Sequence, residues 1–139
     1  MTLVVDASVA TKWYVDEQGS SEARAISAAE YPIAPDLIVP EVLNAIWKNV
    51  RLKRSTVEQL KFAAEALPRH LAAIVPCQLL AERASEFALM LDHPVYDCFY
   101  IALAEREKCP LVTADQRLYR SIKGTKFAKS VRPLLKTIT

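Results

Sequence analysis

The 139 residues are enough for one folded domain, and their 52% hydrophobic and 24% charged residues exclude a largely disordered chain. The formal net charge of +2 is too small to indicate nucleic-acid binding by itself. Three cysteines without a C-x-x-C spacing argue against a disulfide framework or a structural zinc site, and only two glycines exclude a glycine-rich phosphate loop.

The N-terminal segment MTLVVDAS lacks the charged region and the long apolar run of a signal peptide. No later run approaches the roughly 20 apolar residues that a membrane span requires. These two observations predict a cytoplasmic protein without a membrane segment.

Short, β-branched apolar runs alternate with amphipathic segments along the chain. Such runs predict strands in TLVVDAS (2–8), PIAP (32–35), LAAIVP (71–76), CPLVTAD (109–115) and, more weakly, FAKSV (127–131). The intervening segments predict helices over residues 9–16, 20–29, 36–53, 57–67, 78–92, 95–108 and 115–123. This alternation predicts an α/β fold of one domain, 1–139, with a mainly parallel sheet of about five strands covered on both faces.

Helix boundaries follow from residues that cap or break helices. Ser8, Asp36 and Thr56 are each expected to cap the helix that follows them. Pro68 is expected to end the helix that begins after Thr56.

Two aspartates stand at strand ends: Asp6 ends the first strand and Asp115 ends the fourth. In open α/β sheets, sites form beyond the carboxyl ends of the strands, so both carboxylates are expected at one edge. Taken singly, each aspartate is equally well explained as a helix cap in a strand-to-helix turn.

A third aspartate lies near the start of the apolar helix HPVYDCFYIALAE. Helical spacing places Asp97 on the face of Tyr100, Ile101 and Ala104, the side that such a helix buries. Burying an unpaired carboxylate costs roughly several kcal/mol, so a buried Asp97 is expected to have a partner for its charge. Cys98 is expected to be a small core residue.

Glu41 is the fourth candidate, in a helix whose apolar stripe includes Ile38, Val42 and Ile46, with Asn44 one turn on. A like-charged pair about 4 Å apart costs roughly 4 kcal/mol at an effective dielectric of about 20. A cation would neutralise such a cluster. Because the ligands are carboxylate oxygens, helped by hydroxyl or amide oxygens from Ser8, Asn44 and Thr113, Mg²⁺ or Mn²⁺ is favoured over zinc.

These residues resemble those of PIN-domain nucleases, in particular VapC-type ribonuclease toxins of toxin–antitoxin systems. The similar segments are VVDASVATKWYVDE, APDLIVPEVLNAIWK, HPVYDCFYIALAE and PLVTADQRL, which span residues 4 to 118. The resemblance implies a PIN-like three-layer α/β/α sandwich. It also implies that Asp6, Glu41, Asp97 and Asp115 are the catalytic, metal-binding acids and that Ser8, Asn44 and Thr113 support them. Many relatives have alanine where this chain has Cys98, a small apolar change.

The resemblance further implies a Mg²⁺-dependent (or Mn²⁺-dependent) endoribonuclease, in which in-line attack by an activated water leaves a 5′-phosphate and a 3′-hydroxyl. It implies an RNA substrate, a homodimer and a cognate antitoxin that covers the site. The alternative is a PIN-fold RNA-binding or protein-interaction module without nuclease activity.

Basic and aromatic residues supply candidate contacts with these partners. Lys12, Arg51 and Arg117 flank the acids and are candidates for RNA phosphates, with ordinary surface as the alternative. Two wider basic groups are either phosphate-facing or plain surface: Lys48, Arg51, Lys53, Arg54 and Lys61; and Arg117, Arg120, Lys123, Lys126, Lys129, Arg132 and Lys136. Four large side chains belong either to partner surfaces or to the core: Trp13, Tyr14, Trp47 and Met90.

Two other folds also place acids at strand ends. A dehalogenase-like hydrolase needs Asp-x-Asp after the first strand, where this chain has Asp6-Ala7-Ser8. A phosphotransfer receiver needs an aspartate at the end of the third strand, where this chain reads IVPCQ. Both are disfavoured.

Overall fold

The computed structural model describes residues 1–135, in which strands and helices alternate. The strands are β1 (Thr2–Val5), β2 (Tyr31–Pro35), β3 (Ala73–Val75), β4 (Leu111–Thr113) and β5 (Val131–Pro133). The helices are α1 (Ala7–Ala10), α2 (Ser20–Ala29), α3 (Ile38–Arg51), α4 (Val57–His70), α5 (Ala81–Leu91), α6 (Val95–Glu107) and α7 (Gln116–Lys123). Short 3-10 turns occupy Thr11–Trp13, Cys77–Leu79 and Ala128–Ser130.

The five strands form one parallel sheet in the order β3-β2-β1-β4-β5. The first strand of the chain is therefore its centre, pairing with β2 through Leu3↔Pro32 and with β4 through Val4↔Leu111. Parallel strands require crossover connections, and helices supply them. The result is a three-layer α/β/α sandwich, which confirms the predicted fold class.

The core follows from the apolar strands and from α6. Val4 and Val5 of β1 are fully buried, as the continuous apolar run predicts for a central parallel strand. Helix α6 packs on β1, β2, β4 and α5, and it buries Cys98, Tyr100 and Leu103 almost completely. Cys98 is a small core residue, as predicted. In the described part of the chain, no helix is both long and apolar enough to cross a bilayer.

Several predicted boundaries are wrong. The N-cap of α1 is Asp6, whose carboxylate accepts the Val9 N–H, while Ser8 lies inside the helix. Helix α3 has Leu37 at its N-cap, because the carboxylate of Asp36 instead accepts the backbone N–H of Cys77. The helix predicted over 9–16 is divided between α1 and a 3-10 turn. The last strand begins at Val131, where the weak FAKSV prediction ends.

Pro68 does not end α4, which continues to His70. Proline removes one backbone donor and leaves the carbonyl four residues earlier without its helical partner. Both Pro68 and Ala64 are exposed, so water can satisfy that carbonyl in the last turns of the helix. The other end is as predicted: Thr56 caps α4 in a reciprocal capping box with Gln59.

The large side chains divide between core and surface. Trp13 and Tyr14 are buried, with 8% and 6% of their surface exposed, whereas Trp47 and Met90 are exposed. Core packing is therefore the role of the first two. Lys136 of the second basic group lies outside the described residues.

Candidate metal centre

Asp6 lies at the carboxyl end of the central strand and is almost inaccessible to solvent (4% exposed). Its Oδ1 accepts the Ser8 hydroxyl at 2.5 Å and its Oδ2 accepts the Thr113 hydroxyl. Within residues 1–135 no lysine or arginine forms an ion pair with it. Burial raises the pKa of Asp6 to about 6, although the hydroxyl donors oppose the shift. The carboxylate is thus held by neutral donors that leave its charge uncompensated.

The hydroxyls of Ser8 and Thr113 join the end of β1 to the end of β4. The Thr113 hydroxyl accepts the Asp115 N–H at 3.0 Å, and the Ser8 hydroxyl accepts the Ala114 N–H at 2.9 Å. Asp115 caps α7, because its Oδ1 accepts the backbone N–H groups of Arg117 at 2.9 Å and Leu118 at 3.3 Å. The two strand-end aspartates are therefore brought to the same edge of the sheet, as expected, and each also caps a helix.

Glu41 lies in the first turn of α3, partly buried, against a tyrosine of α6. The Tyr100 hydroxyl donates to Glu41 Oε1 at 2.5 Å, and Tyr100 is only 1% exposed. Burial raises the pKa of Glu41; the negative charge of Asp97 adds to the shift and the Tyr100 hydrogen bond opposes it. Burial and the neighbouring Glu41 raise the pKa of Tyr100 strongly, so the phenol stays protonated and donates.

Asp97 lies in the first turn of α6, partly buried, with 28% of its side chain exposed. Its Oδ2 is 2.6 Å from Nε2 of His93, which is itself 9% exposed. The charge of Asp97 contributes to the raised pKa of both Asp6 and Glu41. These interactions place Asp6, Glu41 and Asp97 within electrostatic reach of one another.

Every one of the four acids occupies a helix N-terminus. Asp6 and Asp115 are N-caps, while Glu41 and Asp97 lie in first turns. The positive end of a helix dipole stabilises each such carboxylate by about 0.3–1 kcal/mol.

The acids have the donor chemistry of a divalent-cation site but not the geometry of a completed one. Among the described residues, no group of three Asp, Glu, His or Cys side chains is already arranged to hold a metal ion. The available donors are carboxylate and hydroxyl oxygens, which suit Mg²⁺ and Mn²⁺. Burial raises the pKa of Asp6 and of Glu41, and the charge of Asp97 adds to both shifts. Among residues 1–135, no lysine or arginine pairs with any of these three acids. Their oxygen donors therefore suit a hard cation.

The other candidates surround this edge at different distances. Asn44 is exposed on α3 and lines two surface pockets together with Glu41. The Lys12 ammonium donates to Glu17 at 3.1 Å and to the Gln18 carbonyl at 2.7 Å, so it is already engaged. Arg51 stacks over the Trp47 ring at 5.3 Å.

Arg51 ends α3, ten residues beyond Glu41, which corresponds to about 15 Å along the helix. Arg117 is exposed in the first turn of α7, directly beyond Asp115. Of the three basic candidates, Arg117 thus lies nearest in sequence to an acid.

Two partners of the acids were missed by sequence reasoning. Tyr100 was assigned to the apolar face of α6, and its hydroxyl gave no signal of a contact 59 residues away along the chain. His93 had a signal, because it precedes Asp97 by four residues. That spacing was hidden because Pro94 separates His93 from the helix proper, which begins at Val95.

Comparison with known proteins decides the family. A model of the PIN domain matches residues 3–123 of this chain. The chain belongs to the PIN-domain family. All four acids of this PIN domain, Asp6, Glu41, Asp97 and Asp115, lie within the matched range.

The sequence relatives of this PIN domain are VapC ribonucleases. Ribonuclease VapC3 of Pyrobaculum aerophilum is 36% identical over 136 residues, which cover 96% of this chain and 100% of the relative. Ribonuclease VapC9 of Mycobacterium tuberculosis is 33% identical over 116 residues, 84% of this chain and 87% of the relative. A chain of a toxin–antitoxin complex from Klebsiella pneumoniae has the same fold, with a TM-score of 0.70 at 16% identity over 96% of this chain and 98% of that chain.

Proposed function

We propose that this PIN domain is a metal-dependent endoribonuclease and the toxin of a toxin–antitoxin pair. Two findings support the endoribonuclease activity: the chain is a PIN domain, and its sequence relatives are VapC ribonucleases. The observation that carries the metal dependence is the buried, uncompensated charge of Asp6 beside Asp97 and Glu41. A bound Mg²⁺ or Mn²⁺ would neutralise this charge, polarise the scissile phosphate and lower the pKa of an attacking water.

The side chains of the chain itself then hold and orient the reacting groups. Asp6, Glu41, Asp97 and Asp115 supply the oxygen ligands. The Ser8 and Thr113 hydroxyls fix the orientation of Asp6, and the Tyr100 hydroxyl fixes that of Glu41. His93 does the same for Asp97. Catalysis of this kind rests on positioning and electrostatics, with no covalent protein intermediate. In-line attack by water leaves a 5′-phosphate and a 3′-hydroxyl.

Cleavage of a varied pool of 5′-labelled RNAs tests the proposal. We expect fragments with Mg²⁺ or Mn²⁺ and none with EDTA. Glu41→Gln should remove cleavage, whereas Glu58→Gln should retain it. The second is a matched control, because Glu58 is an exposed glutamate in the first turn of α4. Folded, metal-loaded protein that cuts none of these RNAs would favour the RNA-binding or protein-interaction module instead.

The proposed partners are RNA, a second copy of the chain and a cognate antitoxin. The solved toxin–antitoxin complex from Klebsiella pneumoniae supports an antitoxin partner through the shared fold. A small protein encoded next to this chain should copurify with it and block cleavage. Light scattering of the purified chain should give twice the mass of 15.5 kDa. Failure of either result would remove that partner without touching the nuclease proposal.

A further inference from the structure

An apolar pocket of about 600 Å³ lies directly beside Glu41. Its walls are the N-terminal parts of α3 and α6 together with Cys77 of a 3-10 turn, and its larger apolar side chains are Leu37, Pro40, Tyr96 and Phe99. The pocket size lies within the range of about 300–1,000 Å³ usual for small-ligand sites. Tyr96 is 64% exposed, so an aromatic face is open to solvent one residue before Asp97.

The opposite side of α3 has a different character. A groove of about 560 Å³ also reaches Glu41 and Asn44, and its walls include Ser8 and two lysines. Of these lysines, Lys12 is paired with Glu17, which also lines the groove, whereas Lys48 is exposed on α3. Glu41 and Asn44 thus lie between a groove of mixed character that contains lysines and a pocket that is mainly apolar and aromatic. A nucleotide strand has the same division, because its backbone is anionic and its bases offer apolar faces.

We propose that the Tyr96 pocket receives the nucleobase adjacent to the scissile phosphate and so contributes to the choice of RNA sequence. This inference rests on the proposed nuclease function. Glu41 lines the pocket and Tyr96 precedes Asp97, so a phosphate held by these two acids would have its nucleoside at the mouth of the pocket. Tyr96 stacks on that base, and Phe99 and Leu37 exclude water from its other side. The exposed Asn44 amide carries both donors and an acceptor for the base edge.

The side chain that tests this proposal is Tyr96, and the chain offers a matched control. Tyr31 is equally exposed (65%), but it begins β2 and so lies at the amino ends of the strands, whereas Asp6 and Asp115 follow their carboxyl ends. We expect Tyr96→Ala to lower kcat/KM for RNA cleavage by about 5- to 150-fold, the range for loss of one base–aromatic stack. Tyr96→Phe should retain cleavage, because it keeps the ring. Tyr31→Ala should behave as wild type.

Base preference is the sharper readout. With RNAs randomised around the cut, Tyr96→Ala should flatten the preference at one position next to the scissile phosphate, while Tyr31→Ala leaves it unchanged. In Ca²⁺, 2-aminopurine at that position should be quenched on binding to wild type and to Tyr96→Phe, and less so with Tyr96→Leu. Unchanged kcat/KM and unchanged preference in Tyr96→Ala would overturn the base pocket while leaving the nuclease intact.

The remaining outcomes separate the two proposals. Quenching without any cleavage by wild type would support the base pocket and overturn the nuclease. Absence of both quenching and cleavage would overturn both. A Tyr96→Ala variant that dissociates from a second copy of the chain, with base preference unchanged, would identify the pocket as a protein interface and overturn the inference.

Discussion

The two acids at strand ends and the two acids in helices are held by different kinds of partner. Asp6 and Asp115 accept backbone N–H groups and cap α1 and α7. Glu41 and Asp97 cap nothing; they contact the side chains of Tyr100 and His93. The first pair therefore has a structural role even without a cation. The second pair instead provides partners for two side chains of low exposure, the Tyr100 hydroxyl and the His93 ring.

Asp97→Asn tests the helical pair and should have the largest effect. The amide removes one charge from the cluster, so RNA cleavage should fall by about 10²–10³-fold, as for other losses of transition-state electrostatics. Repulsion with Asp6 and Glu41 falls as well, so the EDTA-treated variant should melt no lower than wild type. Asp92→Asn is the control, because Asp92 is exposed at the end of α5 and asparagine tolerates its left-handed φ of 49°. Melting well below wild type would instead make Asp97 a structural core residue.

The pH dependence of stability tests the strand-end pair. The pKa of Asp6 is about 6 in the fold and 3.8 without it, so the folded state binds more protons between these values. The unfolding free energy of the metal-free protein should therefore fall as pH rises from about 4 to about 6, by at most about 3 kcal/mol from this residue.

Urea denaturation of wild type and Asp6→Asn across this range isolates the Asp6 contribution. The comparison is needed because hydrogen bonds lower the pKa of Asp36 and Glu105, which makes the unfolding free energy rise with pH instead.

Addition of millimolar Mg²⁺ or Mn²⁺ at pH 7 should raise the wild-type Tm, because the ion binds the folded state. Parallel pH profiles for the two proteins, or no metal shift, would show that the Asp6 charge is already compensated.

Tyr100→Phe should have an intermediate effect. It deletes the hydroxyl that donates to Glu41 Oε1 and keeps the buried ring. Loss of such an orienting partner lowers metal affinity by about 10–100-fold, so calorimetric titration with Mn²⁺ should show a weaker Kd. Tyr119→Phe removes a hydroxyl from a partly buried tyrosine of α7 and should leave the Kd unchanged. An unchanged Kd in Tyr100→Phe would mean that Glu41 needs no orientation by its neighbour.

Thr56→Ala should have the smallest effect and calibrates the cost of losing a cap. Thr56 caps α4 in a capping box remote from the acids in sequence, so its loss should cost about 1 kcal/mol of stability and leave RNA cleavage unchanged.

Asp115→Ala removes the cap of α7 and should cost a similar amount in a urea melt. Only the second variant should lose cleavage. Equal cleavage by both would reduce Asp115 to a cap.

The sequence carried enough information for the fold class and for the common location of the strand-end acids. Apolar runs specify the parallel strands, and parallel strands bring Asp6 and Asp115 to one edge. The sequence left two candidates for the cap of α1, Ser8 and Asp6, because both residue types are good caps in isolation. In the structure Asp6 accepts the Val9 N–H, whereas the Ser8 hydroxyl donates to Asp6 and accepts the backbone N–H of Ala114, 106 residues away. Such tertiary contacts leave no local pattern.

The central position of β1 has a consequence for the timing of assembly during synthesis. β1 is made first, but its second neighbour, β4, ends at Thr113. A nascent chain that stops before Leu111 already contains Asp6, Glu41 and Asp97 yet has neither the Thr113 hydroxyl nor the Asp115 cap. Closing a loop of this length is also slow compared with local helix formation. The hydrogen bonds that join Asp6, Thr113 and Asp115 therefore form late, after most of the chain has been synthesised.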